Sequence, residues 1–348
     1  MVSTPVEFNV EVFRPSVCPV CSSDSLVKVH QFTAKQVAEA FFPAIRNEAR
    51  HTSLHRNLER LWGGSTCDVV QCASCRFAFP IPYVAGDRDF YELAYGFPAY
   101  PTHRWEYDRA LAFLLAKPRT SPRLLELGAG FGNFIKPLLK VPGVGADRIV
   151  ATDYLPHSID ALRRLGVDAR RASVFDIAAD PANRGSFDAI FAFQSVEHMA
   201  NVSEVFGVFR SLLKPGGFVA LSVPNGPSVE FFEQRLRYYD WPPNHVGRYY
   251  RETFVALAPK VGFELIAHEI EPPRRWRLVH DAMVARVHAV TAMNPQGLTA
   301  RAQSFENRTL RRIFSLMIGT LLLAPFFPEI LRTKYGSAQL AVFWKPLE

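Results

Sequence analysis

Residue types able to do chemistry gather at six places in this 348-residue chain. Cys18 and Cys21 stand in CPVC, and Cys72 and Cys75 in CASC. Glu126 is followed by alternate glycines, Gly128, Gly130 and Gly132, in LLELGAGFGNF. Asp153 closes IVATD, His198 lies in VEHM, and His245 lies in WPPNHVGRYY. Four thiolates arriving as two tight pairs suit a tetrahedral Zn²⁺ with no open position, hence a structural one. A redox CxxC would instead follow a strand and open a helix, which neither pair clearly does. Alternate glycines after an apolar run let the backbone turn sharply and let a ligand approach without meeting a Cβ. Histidine is the usual proton acceptor near neutral pH.

Periodicity supplies the elements that must position these groups. RLLEL, RIVATD, FDAIFAFQ and FVALSVP read as strands; NFIKPLLK, HSIDALRRLG and VSEVFGVFRSLLKPGG read as the helices between them. Such alternation predicts an α/β fold with a parallel sheet covered on both faces, its ligands beyond the carboxyl ends of the strands. RETFVALAPKVGF continues as a helix, while ELIAHEIE and SAQLAVFWKP predict two final strands paired as an antiparallel hairpin. Upstream, the alternation in CDVVQC predicts a strand leading into the second cysteine pair, as in a zinc ribbon. A helical insert between the two pairs carries His30, His51 and His55, read as solvated helix histidines, and Cys67 lies just before the second pair. After a proline- and tyrosine-rich connector, HRWEYDRALAFLLAK has the spacing of an amphipathic helix. Divisions are expected at 1–83, 84–120 and 121–348.

Bulk properties exclude several classes. Hydrophobic residues make up 48% of the chain, enough for a sizeable core and too many for wholesale disorder. Five cysteines do not make a disulfide scaffold, and the start of the sequence has no secretory pattern, so a cytoplasmic location is expected. The net charge of +7 includes no long Lys/Arg block of the kind that forms nucleic-acid-binding arms.

The glycine run fails the GxGxxG dinucleotide fingerprint and lacks the Lys-Ser/Thr pair of a P-loop. With Asp153 ending the next strand, SFDAIFAFQSVEHM and LLKPGGFVALSVPN following in order, the segment from Leu124 to about Asn225 resembles a class I S-adenosylmethionine-dependent methyltransferase. The chain is similar, more loosely, to members that carry an N-terminal zinc ribbon and act on sugars or other small metabolites. The resemblance implies a Rossmann-like, seven-stranded, mostly parallel sheet ending in an antiparallel hairpin, and S-adenosylmethionine as cofactor. It implies that Gly128, Gly130 and Gly132 pack under the methionine moiety, that Glu126 orients the loop and the ligand's amino end, and that Asp153 accepts from the ribose hydroxyls. Ser173, Val174 and Phe175 fall where the family contacts adenine; ASVFD departs there from the commoner Gly-Asp-Ala pattern, so Asp176 is a substitute for a Ser173 contact. Gln194 falls at the cofactor's sulfonium end.

Methyl transfer to a hydroxyl needs a base, and His198 and His245 are the candidates. Against these stand a helix cap near Asn201 for His198 and a loop brace for His245. Tyr91, Tyr95 and Tyr100 are candidates for a lid over the cofactor or for simple packing. Between the last two strands lies a long insertion, about 272–336, whose uncharged run from Ile313 to Pro328 is short of the about 20 residues that cross a bilayer. Residues 313–331 therefore read as a peripheral membrane contact or as a buried lid or dimer helix. A small-molecule acceptor, hydroxyl or sugar-type carbon, is the expected substrate. An RNA substrate is disfavoured by a cysteine-bearing region that is not markedly basic and by Gln194-Ser195-Val196-Glu197 standing where amino-methylating members carry Asn/Asp-Pro-Pro-Tyr/Phe. A non-catalytic cofactor-binding protein is the third alternative. The oligomeric state is not legible in the sequence.

Overall fold

A computed structural model of the protein describes residues 13–94, 101–116, 120–237, 240, 242–294, 296–305, 307–334 and 336–347. Tyr95 and Tyr100 lie outside the described residues. The N-terminal unit is a three-stranded antiparallel sheet of β1 (Leu26–Thr33), β2 (Thr66–Cys72) and β3 (Ala78–Ile81). Helices Ala34–Phe41 and Glu48–Trp62 fill the stretch between β1 and β2. The first is set by a capping box in which Thr33 Oγ1 accepts from Gln36 N–H and the Gln36 side chain accepts from Thr33 N–H. The three histidines here depart from expectation. His30 lies on β1, and His51 is only 9% exposed, its Nδ1 2.9 Å from the Phe42 carbonyl. Only His55 is the partly solvated helix residue that was expected, and none of the three joins the cysteines.

The second sheet contains β4 (Leu124–Leu127), β5 (Ile149–Thr152), β6 (Asp168–Arg170), β7 (Phe187–Phe193), β8 (Leu213–Pro224), β9 (Glu264–Ile270) and β10 (Ala338–Trp344). Its order is β6-β5-β4-β7-β8-β10-β9, with β10 antiparallel to both β8 and β9 and the rest parallel. This is the mostly parallel seven-stranded sheet with a closing antiparallel hairpin. β4, β5 and β7 are buried throughout, as continuous apolar strands covered on both faces must be. Along β7 the side chains alternate: Phe187, Ile190 and Ala192 face one core, while Ala189, Phe191 and Phe193 face the other. In the latter core Phe134 sits 4.8 Å from Phe191 and 4.7 Å from Phe193, ring centroid to centroid.

The helix after the glycine loop is shorter than NFIKPLLK predicts. It spans only Ile135–Leu138, because Pro137 brings no backbone N–H and Pro142-Gly143 follow close behind. β6 is a three-residue strand, too short for periodicity to reveal. The insertion between β9 and β10 is helical, with Arg275–Met293, Leu298–Ser304, Arg308–Leu323 and Phe327–Arg332. Its inner residues Leu278, Ala282, Ala285, Leu323 and Ile330 pack on Leu236, the last residue of helix Gly226–Leu236.

The two sheets share one continuous core. Val70, Phe77, Phe79 and Tyr83 of the N-terminal unit pack with Val202, Phe206, Tyr249 and Phe254. Polar contacts cross the same boundary: Ser203 Oγ donates to the Pro19 carbonyl (2.6 Å), Thr253 Oγ1 to the Cys75 carbonyl (2.9 Å), and Arg248 N–H to the Ala78 carbonyl (2.8 Å).

Candidate active site

The glycine loop leaves the end of β4, and its shape is set by the neighbouring strand. Ala129 N–H donates to the Thr152 carbonyl (2.9 Å). Gly130 N–H donates to Asp153 Oδ2 (2.9 Å), and Leu155 N–H to Asp153 Oδ1 (2.9 Å). Burial raises the Asp153 carboxyl above its ordinary range, with these backbone donors working the other way. All three loop glycines have positive φ, +67° at Gly128, +53° at Gly130 and +70° at Gly132. Their surroundings differ. Gly128 is exposed, and a Cβ there would lie 3.2 Å from Ser195 Cβ. Gly132 is buried, and a Cβ would come within 2.5 Å of Leu165 Cδ1, so its lack of a side chain serves packing against Leu162 and Leu165.

Glu126 lies inside β4 and is 3% exposed. Burial, then the nearby Asp153, raises its carboxyl well above the ordinary range. Its Oε2 is buried with no hydrogen-bond partner, an acceptor waiting for a donor. Ser173 caps helix Val174–Ala179, its Oγ accepting from Asp176 N–H while Asp176 Oδ2 accepts from Ser173 N–H (2.8 Å) and Oγ (2.7 Å). Those bonds hold the Asp176 carboxyl below its ordinary range. Ser173 and Asp176 thus satisfy one another at a helix start, while Val174 is buried and Phe175 is 41% exposed. Gln194, directly after β7, has φ +51°, a conformation uncommon outside glycine. Its N–H donates to the Ser222 carbonyl (2.8 Å), and its Nε2 to Ser222 Oγ (3.3 Å). Strained backbone at a strand's carboxyl end is the kind of feature that collects at functional sites.

Beyond Gln194 the chain turns through Val196–His198, and the segment carrying Asn244 and His245 folds over it. His198 Nδ1 sits 2.6 Å from the Asn244 carbonyl; a carbonyl only accepts, so Nδ1 carries the proton and Nε2 is left as the basic nitrogen. Tyr91 Oη lies 3.2 Å from the same Nδ1. His198 does not cap the helix Val202–Leu212, which starts at Asn201 with no side-chain cap. The His198 and His245 rings meet edge to face at 4.7 Å. His245 Nδ1 makes a short hydrogen bond to the Asp240 carboxylate, and Val246 N–H donates to the Glu197 carbonyl (2.7 Å).

These two neighbouring imidazoles titrate in opposite directions. Burial, aided by the His245 charge, drives His198 down to about 3, so it is neutral. Burial also opposes charge on His245, but the Asp240 carboxylate outweighs it and raises His245 above 6.5. Glu197, 1% exposed with Oε2 unpartnered, is pushed up to about 7 by burial. Glu197 and Asp240 were not singled out from sequence. The signals were present, an acid directly before His198 and another five residues before His245, but only the fold brings them together.

The four cysteines also converge. Cys18 Sγ lies 3.6 Å from Cys75 Sγ, Cys21 Sγ lies 3.5 Å from Cys72 Sγ, and all four sulfurs fall within 4.8 Å of one another. A tetrahedron of about 2.3 Å Zn–S bonds has edges of about 3.8 Å, so the donor set fits that ion. All five cysteines are free thiols, and Cys67, buried apart from the four, is pushed up to about 12.

A seven-stranded sheet of this order, with a glycine loop after the strand that comes first in sequence and an acid at the end of the next, is the arrangement of class I S-adenosylmethionine-dependent methyltransferases. Residues 102–268, just under half of the chain, match a family model described as a methyltransferase domain, which supports that class for this part of the molecule. Among curated proteins the chain is 33% identical over 126 residues to the ubiquinone biosynthesis O-methyltransferase of Cereibacter sphaeroides, covering 34% of this chain and 47% of that one. It is 33% identical over 115 residues to that of Xanthomonas axonopodis pv. citri, covering 31% and 46%. The chain thus spans about half the length of the curated relatives it matches. A crystal structure of a putative sarcosine dimethylglycine methyltransferase from Galdieria sulphuraria aligns with 69% of this chain and 84% of its own, at 18% identity and a TM-score of 0.43.

The charge contrast is open to direct measurement. In an NMR pH titration of ring protons, His245 titrates above 6.5 and Asp240→Asn lowers it, because the attraction that overcomes burial is gone. His198 stays neutral down to acidic pH in both proteins. A His245 titration unmoved by Asp240→Asn contradicts this geometry.

Proposed function

We propose that the protein is a methyltransferase that moves the methyl of S-adenosylmethionine to a hydroxyl oxygen of a small molecule, acting from the cytoplasm, with His245 as the base. The observation that carries the reading is the Asp240–His245 pair packed on His198, three residues beyond Ser195, the residue that Gly128 of the glycine loop abuts. The residues suit the cofactor. Glu126 Oε2, an unpartnered buried acceptor, suits an ammonium group, and exposed Gly128 leaves room for a ligand backbone against the strand end. Asp153 accepts from Gly130 of the loop and from Leu155, and a carboxylate has lone-pair capacity beyond those two for ribose hydroxyls. Val174, Phe175 and Asp176 would border the adenine, and Gln194 the sulfonium end. When bound, the cofactor supplies an electrophilic methyl group, so the protein's tasks are alignment, exclusion of water and removal of one proton.

Energetics select His245 over His198 for that last task. A base works best with a pKa near the working pH. His198, at about 3, holds a proton too weakly and serves instead to order the pocket through Asn244 and Tyr91. His245 is stabilised as an imidazolium by Asp240 once it has taken the proton, the logic of an acid–histidine pair. The curated relatives are O-methyltransferases by name, which supports oxygen over a sugar-type carbon as acceptor.

The test is methyl transfer from labelled S-adenosylmethionine to a panel of phenols, alcohols and nucleotide sugars, with RNA as a control. Hydroxyl acceptors are expected to be labelled. The rate should rise with pH through the His245 titration, since only the neutral ring accepts a proton. Asp240→Asn should move that limb to lower pH and cut the maximal rate by about 10². Labelling of RNA alone, or His245→Ala at the wild-type rate with the hydroxyl acceptor, overturns the proposal.

We also propose a structural Zn²⁺ held by Cys18, Cys21, Cys72 and Cys75, which would lock the two ends of the N-terminal unit together. Metal analysis of protein prepared without chelators should return about one zinc per chain, and Cys72→Ser should lower both content and stability. A content near zero in folded wild-type protein removes the ion.

A further inference from the structure

The insertion at 272–336 holds an imbalance that the catalytic reading does not use. It contains ten Lys/Arg residues against three acids, a net +7, and the remaining chain is balanced with thirty of each sign. The whole net charge of the protein therefore resides in this one helical excursion. On its helix Arg308–Leu323, Leu310, Ile313, Phe314, Met317 and Leu321 recur at the spacing of a single helical face. They are 45%, 47%, 40%, 60% and 76% exposed. The opposite face is committed to the protein: a Cβ on Gly319 would strike Met283, and Leu323 is 2% exposed in the core shared with Leu278 and Ala282. Arg311 and Arg312 lie near the start of this helix, Arg332 ends helix Phe327–Arg332, and Lys334 follows it.

We propose that this face docks on the surface of an anionic lipid bilayer, lying in the interface rather than crossing it. Charge complementarity chooses the occupant. A second copy of the chain would bring a second +7 to the same contact, whereas anionic headgroups neutralise it while the acyl boundary takes the apolar stripe. Thr309–Arg332 is long and apolar enough by composition to cross a membrane. However, its straight part of 16 residues spans about 24 Å, short of the about 30 Å hydrocarbon layer, and its inner face is already packed. Docking would orient the insertion, and helix Gly226–Leu236 packed beneath it, toward the membrane.

The experiment is co-sedimentation of the full chain with vesicles of phosphatidylcholine alone and of phosphatidylcholine containing about a third phosphatidylglycerol. Affinity should be at least about tenfold higher for the anionic vesicles and be lost at about 0.5 M salt. Met317→Glu with Leu321→Glu should weaken it by about tenfold or more, while Leu115→Glu, at an exposed apolar residue elsewhere, leaves it intact. Binding of S-adenosylmethionine verifies that the variants are folded. Wild-type protein that stays in solution with every vesicle overturns the proposal, as does a double variant that still binds normally. A lipid-free dimer that the double variant splits assigns the face to a second copy instead, and resistance to alkaline and high-salt extraction assigns it to a spanning helix.

Discussion

The carboxylate of Asp153 is the fixed point of this structure. It sits at the end of β5 and accepts from Gly130 across the strand boundary and from Leu155 in its own chain. A loop of three positive-φ glycines has many conformations open to it in the unfolded chain, and these bonds choose one. That choice leaves Gly128 facing outward at the tip of β4 and brings it against Ser195, next to the strained Gln194. From there the chain runs directly into Glu197 and His198. The edge of the glycine loop and the Glu197–His198 cluster are therefore two ends of one stretch of backbone.

The second constraint comes from outside the methyltransferase sheet. The segment carrying His245 is held by the N-terminal unit on several sides. Gly86 N–H donates to the Pro243 carbonyl (2.9 Å), Phe77 packs 5.1 Å from Tyr249, and the Arg76 guanidinium lies 4.0 Å over the Tyr250 ring. Arg248 is 8% exposed and pairs with Glu233, which also faces His30 of β1. A buried ion pair of this kind contributes less to net stability than to fixing which surfaces meet. Its position, three residues from His245, ties the orientation of that ring to the cysteine-bearing unit.

Much of this was legible from residue type and spacing alone, where the signal is local. The apolar runs of β4, β5 and β7, the glycine loop, Asp153 and the pairing of the last two strands all follow from short-range pattern, and the sheet has them in the expected places. What escaped was set by tertiary packing. β6 is three residues long, β1 carries a histidine read as helical, and the helix after the loop stops at Leu138 because prolines intervene. The same holds in the site. Sequence supplied His198 and His245 as equals, whereas burial and one carboxylate, Asp240, separate them into a neutral ring and one raised above the ordinary imidazole range. No local pattern carries that information, since Asp240 becomes a partner only when the segment before His245 folds back on itself.

The central claim is that the crevice beside residues 128–132 seats S-adenosylmethionine with its amino end on Glu126 and its ribose on Asp153. A crystal soaked with S-adenosylhomocysteine, the demethylated product, tests it most directly. Density is expected between Gly128, Asp153 and Gln194, with the product's ammonium within hydrogen-bonding reach of Glu126 Oε2. Product bound elsewhere, or a crevice still closed by the protein's own side chains at saturating product, would contradict the account.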